Sequence, residues 1–359
     1  MDARPKILIA CNRHVRETYL AAEDFAHLEA FADWDWFECE GGGIYDTNAD
    51  PETGQALGAR LGGYDGLVVC HGCPTLDAAI LDQAPGLRIV GELEGDRFAS
   101  RIDIEAAWER GICTVDTTNG SSYPVSEWAL ALIMISLRNA GHHFRRILAG
   151  DLTPSPRDEF GYIHGDLTGK RVGLIGCGHI GRRLIQFLKP FETEIWVYDP
   201  YLAKEMADVV GFLKTSLDNV LSHCDAIVCL APHTPRTEGM IGQRELDLIP
   251  SGAVLVNVSR GKVIDSSALV ARLKKGDIVA GLDVYDPDVY EEGAYGDGEI
   301  TRLDNVFLSP HIAGVTAQSY PRFFKLMVDE FDRFFHGHET LFDLTPTSIA
   351  NRRGAASAD

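Results

Sequence analysis

Basic residues are the minority in this 359-residue chain: 33 Lys and Arg stand against 53 Asp and Glu, a formal net charge of −20. Such a surface repels polyanions, which excludes non-specific binding to nucleic acid or to an anionic membrane. Long apolar runs are missing as well. The longest apolar helix candidate, over 128–137, is far too short to span a bilayer, and no signal peptide is expected ahead of the strand-like run at 7–10. The eight cysteines are scattered through strand and helix patterns and lack the packed spacing of a disulfide scaffold, so a reduced, cytoplasmic protein is expected. Cys70-His71-Gly72-Cys73 is the one spacing that suggests redox or metal chemistry. No second cysteine or histidine pair stands at ligand spacing, so we read it as a strand-end loop and expect no metal. No internal repeat at solenoid spacing is visible.

What is present is α/β alternation, twice over. The length favours two domains. Residues 5–115 alternate strand runs at 6–10, 66–70, 87–90 and 112–115 with helical stretches such as 76–82 and 103–109, and 41–51 reads as loop. A second alternation has six strand runs, at 172–175, 194–198, 225–230, 253–258, 278–284 and 305–308. Between them, Ser121-Ser-Tyr-Pro124 is a helix start, and the helix over 125–138 is apolar nearly all round, which demands burial or a subunit interface. A helix over 317–335 and a polar tail over 346–359 complete the chain.

Gly176-Cys177-Gly178-His179-Ile180-Gly181 stands between an apolar strand and an amphipathic helix, and the next strand ends in Asp199. A lone glycine triplet is weak, but strand, glycines, helix, strand and terminal acid at this spacing read as a dinucleotide site. Backbone amides at the helix N-terminus meet the pyrophosphate, and Asp199 accepts from the ribose hydroxyls, which favours NAD. Arg260, Asp283 and His311 each follow a strand of the second alternation, where open parallel sheets bind ligands. An arginine offers a planar fork for a carboxylate, and a histidine moves a proton near pH 7. Beside a nicotinamide, that set suits hydride transfer to a 2-oxo acid.

The segments at 172–181, Asn257-Val-Ser-Arg-Gly-Lys-Val-Ile-Asp265, Gly281-Leu-Asp-Val-Tyr285 and Ser309-Pro-His-Ile-Ala-Gly314 resemble the D-isomer-specific 2-hydroxyacid dehydrogenases, the group of phosphoglycerate dehydrogenase and glyoxylate reductase. The resemblance covers roughly residues 60–335. It implies two doubly wound parallel-sheet α/β domains, a Rossmann cofactor domain over 119–312 inserted in a flavodoxin-like substrate domain made of 1–118 and 313–345. It implies catalysis by Arg260 and His311, with Asp283 and Ser259 against the nicotinamide and Asp199 on the ribose; Pro232 and Gly314 join the cofactor-binding candidates. It also implies a homodimer through the helix over 125–138.

Two departures stand out. Where the family carries a glutamate that partners the histidine, this chain has Asp288, with Asp286, Glu291 and Glu292 as alternatives. The loop over 91–101 is longer and more charged than in many relatives, which makes Arg97, Arg101 and Cys73 candidates for substrate contact, joined by Arg13, His14 and Arg16, or else paired surface cations. The expected activity is NAD-dependent interconversion of a D-2-hydroxy acid and its 2-oxo acid. Rivals are a formate- or phosphite-type dehydrogenase of the same fold, and a non-catalytic NAD-sensing corepressor or scaffold.

Overall fold

Short buried strands with apolar side chains on both faces require cover on both sides, and each of the two units supplies it with helices. The computed structural model describes residues 4–43, 47–95, 99–152, 165–286 and 298–352. The chain divides into one unit of Met1–Ser121 with Thr316–Ile349 and another of Ser122–Val315 with Ala350–Asp359.

The first unit has five parallel strands, β1 (Lys6–Cys11), β2 (Asp33–Glu38), β3 (Gly66–Val69), β4 (Ile89–Glu92) and β5 (Cys113–Asp116), in the order β2-β1-β3-β4-β5. This is the flavodoxin-like order, with its switch point between β1 and β3. Leu8, Leu67 and Val90 face a core that includes Leu57 and Leu61 of the helix Pro51–Leu61. Ile7, Ile9, Val68 and Ile89 face the opposite core, closed by Phe323, Phe324, Met327 and Phe331 of the returning helix Ser319–Phe335. Gly91 is required in β4 because a Cβ there would run into the Met327 sulfur.

Three expectations need correction here. β2 reads Asp-Trp-Asp-Trp-Phe-Glu, acids that strands usually avoid; they are tolerated because it is an edge strand with Asp33 and Asp35 turned to solvent. The stretch read as loop ends in a helix start, with Pro51 in the first turn and the Asp50 carboxylate accepting from Glu52 N and Thr53 N. The tail holds a further helix, Pro346–Arg352, and Ile349 packs into the first core.

The second unit has seven parallel strands: β6 (Arg171–Ile175), β7 (Glu194–Tyr198), β8 (Leu213–Lys214), β9 (Ala226–Cys229), β10 (Val254–Asn257), β11 (Val279–Leu282) and β12 (Val306–Leu308). Their order, β12-β11-β10-β9-β6-β7-β8, is the Rossmann order extended by one strand. The strand beyond that order is β12; the one absent from the sequence reading is β8, a two-residue edge piece paired to Trp196 and Val197. The helix Ser122–Leu137 lies on β10 and β11, burying Val125, Ala129, Leu132 and Ile133 while Tyr123 and Met134 face outward. No described helix is long and apolar enough to cross a membrane.

Candidate active site

In a parallel sheet every strand delivers its C-terminal loop to one edge. The ends of β6, β7, β9, β10, β11 and β12 therefore gather the Gly176–Gly181 loop, Asp199, Pro232, Ser259, Arg260, Asp283 and His311 on the same edge of the second sheet.

The glycines have separable reasons. Gly176 has φ +95°, and a Cβ on it would lie 3.0 Å from Ala231 N. A Cβ on Gly181 would lie 3.0 Å from the Gly176 carbonyl oxygen, so its absence lets the helix His179–Leu188 seat closely on the strand. A Cβ on Gly178 would meet nothing within 4 Å, so the open space there serves close approach from outside. His179 and Ile180 form the first turn of that helix, where free amides favour an anion. The Asp199 carboxylate accepts from Cys177 N at 2.8 Å and from Tyr201 N at 2.9 Å, which fixes it beside the glycine loop. These residues fit the adenosine and pyrophosphate of a dinucleotide. Burial pushes the Cys177 thiol up to about 11, so it stays protonated. Pro232 supplies a carbonyl that accepts from the Thr237 hydroxyl at 2.6 Å, pinning the loop after β9.

Arg260 leaves β10 in extended conformation, and its guanidinium donates to the Ser259 carbonyl at 2.7 Å. Ser259 is held by Asn257 Oδ1, which accepts from its amide and its hydroxyl at 3.0 and 2.8 Å. Gly261 then packs on the next loop so closely that a Cβ would stand 2.5 Å from the Tyr285 carbonyl carbon.

Asp283 is 1% exposed. Its Oδ1 accepts from Ser309 Oγ at 2.5 Å and Ile312 N at 3.0 Å, and its Oδ2 accepts from Ala313 N at 2.9 Å. Its backbone carbonyl takes the His311 amide at 2.9 Å. The sequence reading set Asp283 against the nicotinamide; its described contacts also make it the anchor of the His311 loop. That loop needs an anchor, because His311 sits at φ +52°, a region costly for a residue with a Cβ. Ser309 also accepts from Trp128 Nε1 at 3.0 Å. Gly314 follows Ala313 directly and so sits beside the anchored amides.

Asp288, Glu291 and Glu292 lie outside the described residues; Asp286 is described, and its carbonyl accepts from Ser266 Oγ at 2.8 Å. Arg97 likewise lies outside them.

The expectation that Arg101 meets substrate is corrected. Its guanidinium is fully buried, pairs with Glu92 Oε1 at 2.5 Å, and donates to the Glu94 and Gly43 carbonyls. The cation is consumed in tying the loop after β4 to the sheet. Burial raises the Glu92 carboxyl to about 7, while Arg101 pulls the other way. Cys73 is fully buried too, and burial together with Cys39 lifts its thiol well above the ordinary 9.0. Arg13 pairs with Glu38 at 3.0 Å, Arg16 stacks over Trp36 at 4.3 Å, and the His14 ring lies edge-on to Tyr19. Sequence reasoning missed His71, Glu94 and Tyr19, which meet at the carboxyl end of the first sheet. The only signal was the Cys-His-Gly-Cys spacing, where the cysteines drew attention away from the histidine. Among the described residues, no group of three or more His, Cys, Asp and Glu could hold a metal ion.

Residues 130–313 match the family described as D-isomer specific 2-hydroxyacid dehydrogenase, NAD binding domain. The chain is 32% identical over 257 residues to a D-3-phosphoglycerate dehydrogenase of Archaeoglobus fulgidus, covering 71% of this chain and 46% of that protein. It is 31% identical to a glyoxylate reductase of Pyrococcus furiosus, with 76% and 79% covered. The crystal structure of a phosphoglycerate oxidoreductase from Rhizobium etli superimposes with a TM-score of 0.78 at 23% identity, over 96% of this chain and all of that one, a likeness of fold. The chain spans about half the length of the phosphoglycerate dehydrogenases it matches.

Proposed function

The chain belongs to the D-isomer-specific 2-hydroxyacid dehydrogenase family, and from that premise we propose that it interconverts a D-2-hydroxy acid and its 2-oxo acid with NAD. The observation that carries the reading is the delivery of Arg260 and His311 to the sheet edge that also carries the Gly176–Gly181 loop, with a dedicated clamp under the histidine.

In the direction of reduction, the Arg260 fork grips the substrate carboxylate and sets the carbonyl carbon in place. An NAD held through its pyrophosphate at the glycine loop would supply the hydride. His311 holds a proton toward the carbonyl oxygen and gives it up as the alkoxide forms; oxidation runs the same transfers in reverse. Asp288 is our candidate for the carboxylate that keeps His311 charged. Ser259, Asp283 and Gly314 shape the wall on which the nicotinamide rests, and Asp199 selects NAD. The first unit carries part of the substrate recognition.

A homodimer is also proposed. The helix Ala140–Leu148 and the residues after it leave Phe144, Ile147, Leu148 and Leu152 largely exposed, Leu148 at 71%, and Tyr123 and Met134 on the preceding helix face outward as well. A patch of that kind calls for a partner of its own sort.

NADH oxidation followed at 340 nm over a panel of 2-oxo acids tests the reading. His311→Asn should abolish most turnover and leave NADH affinity nearly unchanged, and Arg260→Lys should raise KM and lower kcat. Reduction of NAD by formate with no activity on any 2-oxo acid would replace it.

A further inference from the structure

The clamp under His311 is itself held from outside its loop. Ser309 Oγ donates to Asp283 Oδ1 at 2.5 Å and accepts from Trp128 Nε1 at 3.0 Å. Ser309 and Asp283 are both buried, so bulk water does not compete for these bonds. A serine hydroxyl carries one hydrogen and can turn it toward any acceptor within reach, whereas an indole N–H can only donate. With the indole occupying a lone pair of Oγ, the hydroxyl hydrogen is directed at the carboxylate. The contact has the short length of a charge-assisted bond from a hydroxyl to a carboxylate.

The frame that presents the indole is rigid. Trp128 lies three residues after Val125 and four before Leu132, so it borders the inward side of the helix Ser122–Leu137, half-buried on the core of the second unit. That helix is seated directly on β11, the strand that Asp283 follows: a Cβ on Gly281 would stand 2.5 Å from Ser136 Oγ and 3.3 Å from Leu132 Cβ. Indole and carboxylate therefore start from two elements in direct contact, and the Ser309 hydroxyl closes the triangle between them. A phenylalanine at 128 would meet the packing alone. What the indole adds is an N–H, and that N–H goes to the residue whose hydroxyl holds Asp283.

We propose that Trp128 is a positioning residue of the reaction: its indole N–H sets the direction of the Ser309 hydroxyl and, through Asp283, the placement of His311. The inference rests on the reading of His311 as the proton donor, and it makes the helix Ser122–Leu137 part of the support of that acid.

The test uses the full chain with NADH and glyoxylate, pyruvate and hydroxypyruvate, kinetics being taken on whichever turns over fastest. Trp128→Phe keeps the ring and removes the N–H. It should lower kcat about fivefold, the effect of about one hydrogen bond, and change KM and NADH affinity by less than about twofold. Amide exchange at Ile312 and Ala313 should quicken by a similar factor. Ser309→Ala removes the link itself, so adding Trp128→Phe to it should lower kcat no further, and Ser309→Thr, which keeps a hydroxyl, should recover most of what Ser309→Ala loses. A Trp128→Phe change that acted only by loosening the helix would add to Ser309→Ala and move KM as well. Additive losses in the double variant, or an unchanged kcat and unchanged exchange in Trp128→Phe, overturn the proposal. Failure of the functional reading shows separately, as wild-type inactivity on every 2-oxo acid. The exchange measurement needs no substrate and then still decides whether Trp128 holds the loop.

Discussion

Replacing Asp283 by Asn separates two roles that its position allows. The carboxylate accepts three hydrogen bonds from the 309–313 loop, two of them from backbone amides. Bonds to a charged group contribute about 1.5–3 kcal/mol each. An amide can keep the pair on Oδ1, but its NH2 then faces the Ala313 N–H, donor against donor, and the remaining bonds lose their charge assistance. The loss should be about 3 kcal/mol, larger than the roughly 1–2 kcal/mol that a left-handed residue such as His311 costs. With the clamp weakened, the loop relaxes toward an easier backbone and the imidazole moves. A displacement of about 1 Å can lower turnover about 10²-fold. We therefore expect Asp283→Asn to lower kcat by about two orders of magnitude, to speed hydrogen exchange at the Ile312 and Ala313 amides by at least tenfold, and to change NADH affinity by less than about threefold. Stopped-flow kinetics, exchange mass spectrometry and fluorescence titration read the three quantities. Protected amides together with a large loss of NADH affinity would refute the clamp and leave Asp283 with the nicotinamide wall alone.

Other expectations follow from single contacts. Asp199 is held by Cys177 N and Tyr201 N, and of the two nearby cations Arg183 is stacked over Tyr123 at 3.6 Å, which leaves Arg182 to offset a 2′-phosphate; kcat/KM with NADPH should be at least about tenfold below that with NADH, and parity would sink the NAD assignment. Gly261→Ala places a Cβ 2.5 Å from the Tyr285 carbonyl carbon, so the Arg260 loop must shift; KM for the 2-oxo acid should rise about tenfold, and an unchanged KM would show that this packing does not position Arg260. Cys177 borders the glycine loop but its thiol is pushed up to about 11, so iodoacetamide at pH 8 should leave it unmodified in the native protein, a result that rapid labelling mapped by peptide mass would contradict.

What was legible in the sequence was local chemistry. The Gly176–Gly181 loop, the Asp199 that ends β7 and the residues following β10, β11 and β12 are short segments whose turn and strand preferences coincide with their place in the sheet. β2 was hidden because its alternation pairs tryptophans with acids, a composition that only an unpaired edge accommodates. β8 is too short to leave any periodicity. The helix after Asp50 carried a visible start signal, but Gly54 and Gly58 dilute its helical pattern. Arg101 was misread because nothing in a string of charges tells which one is buried; its partner Glu92 sits at the end of a strand, and only the folded loop brings them together. The Tyr19–Glu94 bond joins residues 75 apart, a contact that belongs to tertiary structure alone.

The support under His311 has a logic that stability by itself does not explain. Burying a carboxylate such as Asp283 carries a desolvation cost that its three hydrogen bonds serve largely to offset, and an apolar side chain would fill a space beneath a loop more cheaply. What an apolar side chain would not do is fix orientation. Here the carboxylate fixes two consecutive amides immediately after the histidine, its own backbone carbonyl takes the histidine amide, and Ser309 links the carboxylate to Trp128 on the helix Ser122–Leu137. The loop is thereby tied to β11 and to a long helix that itself lies on β10 and β11. The proton donor that we propose His311 to be needs that degree of constraint, and a left-handed backbone persists only where its surroundings over-determine it. The strained residue and its excess of anchors are thus two sides of one requirement, and they single out His311 among the described histidines as the one held at positive φ by such a set of anchors.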